Sequence, residues 1–163
     1  MNVLIRLDER LIHGQVAIKW TRHLSIERVV VGNDMAAGSE IIKRSLMMAA
    51  PNTCKVAIKT VDEAIGLLND PRGEHLRMMG IVNSPKDLLE CVRNVHQIEL
   101  INIGNYGRVA MKKEGRERKA YGANLYLYDD EAEVLREVCR SGIKCVYQTT
   151  PDEIPENVEK LLG

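Results

Sequence analysis

The sequence predicts an α/β fold: a doubly wound, mainly parallel open sheet of about seven strands with helices on both faces. Three observations carry that expectation. Short apolar runs of strand length alternate with amphipathic stretches of helical period from one end of the chain to the other. The stretches between runs are roughly ten residues long, the size of a crossover helix in a βαβ unit. The runs themselves are nearly continuously apolar, as strands covered on both faces require. With 163 residues and no repeat, low-complexity segment or linker, the chain is expected to form one domain over residues 1–163.

The elements follow in order. Val3 to Leu7 is the first apolar run and reads as a buried strand; Asp8, Glu9 and Arg10 end it. His13 and Gly14 then lead into a helix that opens at Gln15 and contains Trp20, a core residue or an exposed docking residue. Arg28–Gly32 is the second strand. Ser39 caps a helix that stops before Pro51. Lys55–Ile58 is the third strand, and Thr60 with Glu63 forms a capping box for a helix carrying Ala64, Leu67 and Leu68 on one face. Asn69–Gly73 is a turn. Leu76–Val82 is the fourth strand, followed by a helix capped by Ser84 with Pro85 at its first position. Ile98–Ile103 is the fifth. Arg108 to Lys119 holds six basic residues against two acids and reads as a solvated loop or as a docking patch for an acidic partner. Asn124–Tyr128 is a strand, Asp130 and Glu133 cap a helix ending at Gly142, Ile143–Tyr147 is the last strand, and Pro155 opens a terminal helix ending near Leu162.

The first strand-to-helix junction is where chemistry is expected. It places His13 at a helix start, with an acid, Asp8, five residues before it and Arg10 three residues before it. Helix N-termini offer free N–H groups and a favourable dipole to anions, and a guanidinium adds a planar fork suited to phosphate or carboxylate. In a doubly wound sheet the loops after the parallel strands share one edge, so Asp8–Gln15, Asn33-Asp34, Asn83-Ser84 and Gly104-Asn105 should line one cleft. Its small, polar content suits a phosphoryl group. A neutral imidazole of His13 would be the nucleophile, Arg10 would neutralise the phosphate, and Gly14, Gln15 and Ser84 would supply donors. Asp8 would orient the imidazole, lock Arg10 or simply cap the turn. Asn33 and Asp34 are phosphate-binding candidates that also fit as turn residues, as Ser84 also fits as a cap.

The stretch Arg6-Leu-Asp-Glu-Arg-Leu-Ile-His-Gly-Gln-Val16 resembles the N-terminal signature of the IIB components of the mannose/fructose/sorbose family of the bacterial sugar phosphotransferase system. Val31-Gly-Asn-Asp34 resembles that family's Asn-Asp after the second strand, and Ile101-Asn-Ile-Gly104 its Asn-Val-Gly after the fifth. The resemblance spans nearly the whole chain. It implies that His13 is phosphorylated by a phosphohistidine of a IIA partner and passes the group to a sugar held by membrane IIC and IID partners. That is a protein-N(pi)-phosphohistidine–sugar phosphotransferase activity, on a cytoplasmic protein docking peripherally on the permease. Where the family reads Asn-Val-Gly-Gly-Met, this chain has Asn105 and Tyr106 at the last two positions; Asn in place of the second Gly resembles some amino-sugar members and leans to an N-acetylhexosamine.

Composition narrows the classes further. Lys plus Arg equals Asp plus Glu at 23 each, which argues against nucleic-acid binding through bulk charge. At 45% apolar the chain suits a globular protein, and no run approaches the ~20 residues of a membrane span. The early strand leaves no room for a signal peptide. Cys54, Cys91, Cys139 and Cys145 form no C-x-x-C pair and read as reduced structural cysteines, and His13, His23, His75 and His96 are not spaced as zinc ligands. No metal or other cofactor is expected: a G-x-x-x-x-G-K-[ST] loop is absent, and Gly104-Asn-Tyr-Gly107 does not fit G-x-G-x-x-G. The competing class is a non-catalytic flavodoxin-like module binding an anionic metabolite, which fold alone does not exclude. A homo-oligomer is compatible with the sequence, which does not fix the oligomeric state.

Overall fold

The computed structural model describes residues 2–163. Its elements are β1 (Asn2–Leu7), α1 (Gly14–His23), β2 (Arg28–Gly32), α2 (Asp34–Ala37), α3 (Glu40–Ala49), β3 (Lys55–Lys59), α4 (Val61–Leu68), β4 (Arg77–Val82), α5 (Pro85–Asn94), β5 (Ile98–Ile103), β6 (Lys119–Gly122), β7 (Leu125–Leu127), α6 (Asp129–Cys139), β8 (Cys145–Tyr147), β9 (Glu156–Asn157) and α7 (Val158–Leu162). Seven strands form the main sheet in the order β3-β2-β4-β1-β5-β8-β9. All neighbours pair in parallel except the two-residue β9, which runs antiparallel to β8. This is the doubly wound, mainly parallel sheet that the alternating pattern predicts.

The alternation of side chains along each strand divides the core into two layers. Val3, Ile5, Leu7, Val30, Val82, Ile101 and Ile103 face α4, α5, α6 and α7, meeting Leu68, Leu88, Leu135 and Val158. Leu4, Val29, Val31, Met79 and Ile81 face the other way, onto Ala17 and Trp20 of α1, Ala36 of α2 and Leu46 of α3. Trp20 is therefore core. Strand β1 lies between β4 and β5 and is covered on both faces, so whatever leaves its carboxyl end is held on three sides.

Local chemistry sets the helix starts. Asn33, Ser39, Thr60, Ser84 and Asn157 each accept a backbone N–H from the first turn of their helix, and Thr60 with Glu63 closes the expected box. Three local expectations need correction. The helix after β7 is boxed by Glu131, whose carboxylate accepts the Tyr128 N–H, rather than by Asp130 and Glu133. The strand read at Asn124–Tyr128 is β7, but it pairs antiparallel with β6 in a separate two-stranded ribbon. Pro155 precedes β9, and the last helix begins only at Val158 under an Asn157 cap.

Candidate phosphoryl-transfer site

The turn between β1 and α1 is tied at its start to both of the neighbouring strands' loops. The Asp8 N–H donates to the Val82 carbonyl of β4 (2.9 Å) and the Glu9 N–H to the Asn105 carbonyl beyond β5 (2.8 Å). Just beyond these ties the chain turns sharply: the Leu11 N–H reaches back to the Asp8 carbonyl at 3.0 Å, and Leu11 takes a positive φ of 61°. For a leucine that backbone region is disfavoured and persists only when packing over-determines it. Here the side chains of Leu11 and Ile12 are buried in the α1 layer of the core, which pins the turn while His13 stays half-exposed beside them. Gly14, at φ +46°, follows as the first residue of α1.

His13 is the N-cap residue of α1, yet its side chain caps nothing. The first N–H groups of the helix therefore lack a side-chain acceptor, in contrast to the capped helices. The imidazole turns instead to Asp8: Nε2 lies 3.2 Å from Oδ2. Asp8 is fully buried, and its oxygens are surrounded by donors. Oδ2 also accepts from Arg6 Nη2 at 3.0 Å, and Oδ1 accepts the Arg10 N–H at 3.1 Å. An ionised carboxylate is acceptor-only, so it selects the tautomer that carries its proton on Nε2 and leaves the Nδ1 lone pair free.

Behind Asp8 stands Arg6, 2% exposed, on the face of β1 turned to α1. Its guanidinium donates to Asp8, to the Asn102 side chain of β5, and to the Gln148 (3.2 Å) and Thr149 (3.0 Å) carbonyls after β8. Its carbon lies 5.5 Å from the Trp20 ring centroid, and the indole N–H donates to the same Thr149 carbonyl at 2.8 Å. Burial pushes the Arg6 guanidinium below its ordinary value and Asp8 opposes that, so the buried pair holds its charges by mutual contact. The guanidinium also accounts for Gly104, where a Cβ would collide with Arg6 Nη2.

The expected cleft residues divide into two groups. His13, Asp8, Arg10, Gly14 and Gln15 lie on one turn, with Arg10, Gly14 and Gln15 exposed. Asn33, Asp34 and Ser84 lie at the same ends of the strands, but their side chains are engaged in structural bonds. Asn33 Oδ1 accepts the Ala36 N–H at 2.8 Å and its Nδ2 donates to Asn83 Oδ1 at 3.0 Å. Asp34 Oδ1 accepts the Val61 N–H at 2.9 Å, and Ser84 Oγ accepts the Asp87 N–H at 3.2 Å. The bonds that sequence reasoning missed belong to Arg6, Asn102, the Gln148-Thr149 carbonyls and Glu9. Glu9 accepts N–H groups from Gly107 (2.9 Å), Arg108 (3.2 Å), Val109 (3.1 Å) and Ala110 (3.1 Å), binding the loop after β5 to the turn between β1 and α1. A charge in the middle of an apolar strand was the available signal for Arg6.

Comparison with known proteins shows the family and the fold. The family model described as "PTS system sorbose subfamily IIB component" matches residues 2–163. A relative from Streptococcus pyogenes serotype M6, named a probable phosphotransferase enzyme IIB component, is 45% identical over 108 residues, 66% of each chain. The solved IIB domain of the sorbose permease from Klebsiella pneumoniae superposes with a TM-score of 0.86 at 26% identity, covering 99% of this chain and 96% of that one. The N-acetylgalactosamine-specific IIB component 1 of Escherichia coli superposes at 0.81 and 24% identity, covering 96% and 99%.

Proposed function

This chain belongs to the sorbose subfamily of phosphotransferase system IIB components, which are phosphocarriers in sugar uptake, and we propose that His13 is the residue on which it carries the phosphoryl group. We place the whole of residues 1–163 in that one IIB domain. The observation that supports the assignment is the Asp8 carboxylate on Nε2, which leaves Nδ1 as the nucleophile beside an uncapped helix N-terminus.

In this reading the phosphohistidine of a IIA partner presents its phosphorus in line with Nδ1. The P–N bond to the donor breaks as the P–N bond to His13 forms. The Nε2–H stays on His13 throughout, and Asp8 stabilises the positive character that the ring gains. The N–H groups of Gly14 and Gln15 and the Arg10 guanidinium receive the equatorial oxygens. Asn33, Asp34 and Ser84 hold the surrounding loops. The second half-reaction reverses the roles, with a sugar hydroxyl as acceptor in a membrane IIC/IID permease. The protein would work in the cytoplasm, docking on that permease. Among the described residues no helix is long and apolar enough to cross a membrane. For the sugar, Asn105 favours an N-acetylhexosamine.

The test is to incubate the chain with phosphorylated IIA and map the acid-labile phosphate. It should lie on Nδ1 of His13, and His13→Ala should take up none. Full stoichiometric uptake by His13→Ala would overturn the assignment.

A further inference from the structure

We propose that the loop 107–119 is an anchor for an anionic lipid surface, seating phosphate headgroups beside the turn between β1 and α1. The proposal rests on the reading that His13 serves a membrane permease, and it adds a contact with the bilayer itself. The chain as a whole has no net charge, yet this loop concentrates six cations against two acids. Such segregation on a neutral protein serves a local partner rather than solubility.

The structure gathers five of those cations around an opening. A cavity of about 490 Å³ is lined by Arg108, Lys112, Lys113, Arg116, Arg118 and Tyr128, with Glu117 as its one acidic lining residue. Three of them surround one ring: Lys113 Nζ lies 5.1 Å, the Arg116 carbon 5.3 Å and the Arg118 carbon 4.4 Å from the Tyr128 centroid. Lys113 pairs with Asp130 at 2.7 Å and Arg118 with Glu131 at 2.8 Å. Arg108, Lys112 and Arg116 have no acidic partner among the described residues. Cations held this close repel one another, and an anion in the cavity would relieve that repulsion. Their backbone is not free to spread, because Glu9 accepts four successive N–H groups at the base of the loop and Tyr128 Oη accepts the Lys113 N–H at 2.7 Å.

A second feature selects a lipid over an acidic peptide. Val109 is 61% and Met111 89% exposed, interleaved with the cations of the same loop. Apolar side chains among basic ones are the composition of segments that lie in a membrane interface, where the former enter the acyl boundary and the latter meet anionic headgroups. Held to Glu9, the residue after Asp8, such an anchor would bring His13 to the membrane face where its acceptor is held.

The experiment is co-sedimentation of the full chain with vesicles of phosphatidylglycerol mixed with phosphatidylcholine, and with vesicles of phosphatidylcholine alone. No partner protein is present, so the result does not depend on whether His13 carries phosphate. The chain should bind the anionic vesicles only, and less as salt rises. Arg108→Ala with Arg116→Ala should weaken binding about fivefold for each cation removed, and Met111→Ser should weaken it further. Circular dichroism checks that these surface variants remain folded. Equal retention on phosphatidylcholine, no retention on phosphatidylglycerol, or unchanged retention of the double variant would each overturn the proposal. Wild-type vesicle binding by the double variant, together with slowed uptake from phosphorylated IIA, would assign the cavity to an acidic protein partner instead.

Discussion

Asp8 presents two oxygens to three donors, and that saturation gives the site its sharpest prediction. In Asp8→Asn one oxygen becomes an NH2 group. Placed toward Arg6 and His13 it opposes their donors; placed the other way it opposes the Arg10 N–H. The first arrangement drives the His13 proton from Nε2 to Nδ1 and removes the nucleophilic lone pair. Transfer should fall on the order of a hundredfold, and the nitrogen-15 shifts of His13 should report the change of tautomer. Unaltered shifts with normal transfer would reduce Asp8 to a turn cap. Arg10 is read differently, because its backbone is engaged and its guanidinium is exposed. Arg10→Ala should slow transfer on the order of tenfold to a thousandfold without changing the thermal midpoint, and lysine should restore it poorly, since it lacks the planar fork. At this scale the sequence was legible where spacing to the helix start set position: His13, Asp8 and Arg10 do lie together on the turn before α1. Arg6 was not legible in this way. Its partners, Asn102, Gln148 and Thr149, are about a hundred residues or more away in the chain, and no local pattern announces such contacts.

Elements show the same division between local and distant causes. Strand β1, α1, β2, α3 and α4 are readable because apolar period and caps are properties of adjacent residues. The ribbon β6–β7 is not, because Lys119-Ala-Tyr-Gly122 has little strand character alone and is a strand only through pairing with Leu125–Leu127. Backbone bonds to Tyr106 and the buried Leu125 and Leu127 hold the ribbon to the body, and Glu131 of α6 adds a charged tie to its flanks. Its carboxylate receives Arg118 Nε at 2.8 Å, the Tyr106 hydroxyl at 2.5 Å and the Tyr128 N–H at 2.8 Å. Burial works to raise its pKa, but Arg118, Tyr106 and Tyr128 outweigh burial and hold it below the usual glutamate range. A carboxylate depressed in the folded state stabilises above its unfolded pKa, near ~4.3, and the contribution is lost as pH falls through the folded value. The urea midpoint should therefore decline on acidification below that range. Glu131→Gln should start lower at neutral pH and decline less over the same window. An identical acid dependence in the variant would mean that Glu131 does not couple the ribbon to the fold.

Over the whole molecule, neutrality and topology together decide how the site meets its partners. The parallel sheet sends the turns after β1, β2, β4 and β5 to one edge, which is why Asp8 bonds to Val82, Glu9 to Asn105, and Asn33 to Asn83 across separate loops. The carboxylates that the sequence places at that edge are Asp8, Glu9 and Asp34. All three are occupied by protein donors: Asp8 by Arg6, the Arg10 N–H and His13; Glu9 by the Gly107–Ala110 amides; Asp34 by the Val61 N–H. A divalent cation drawing on these oxygens would have to displace those donors and would sit beside the buried Arg6 charge. In the proposed reading, positive potential at His13 comes from Arg10 and from the uncapped start of α1. Transfer from purified, already phosphorylated IIA to His13 is therefore expected to proceed in excess chelator at its full rate. It should slow with rising ionic strength, because a protein with no net charge is steered only by local patches that salt screens over about 10 Å at 0.1 M. Using pre-phosphorylated donor keeps upstream metal-requiring steps out of the measurement. A transfer rate abolished by chelator and restored by Mg²⁺ would show that the Asp8, Glu9 and Asp34 bonds open in the reacting complex, and the account of the site given above would have to be abandoned.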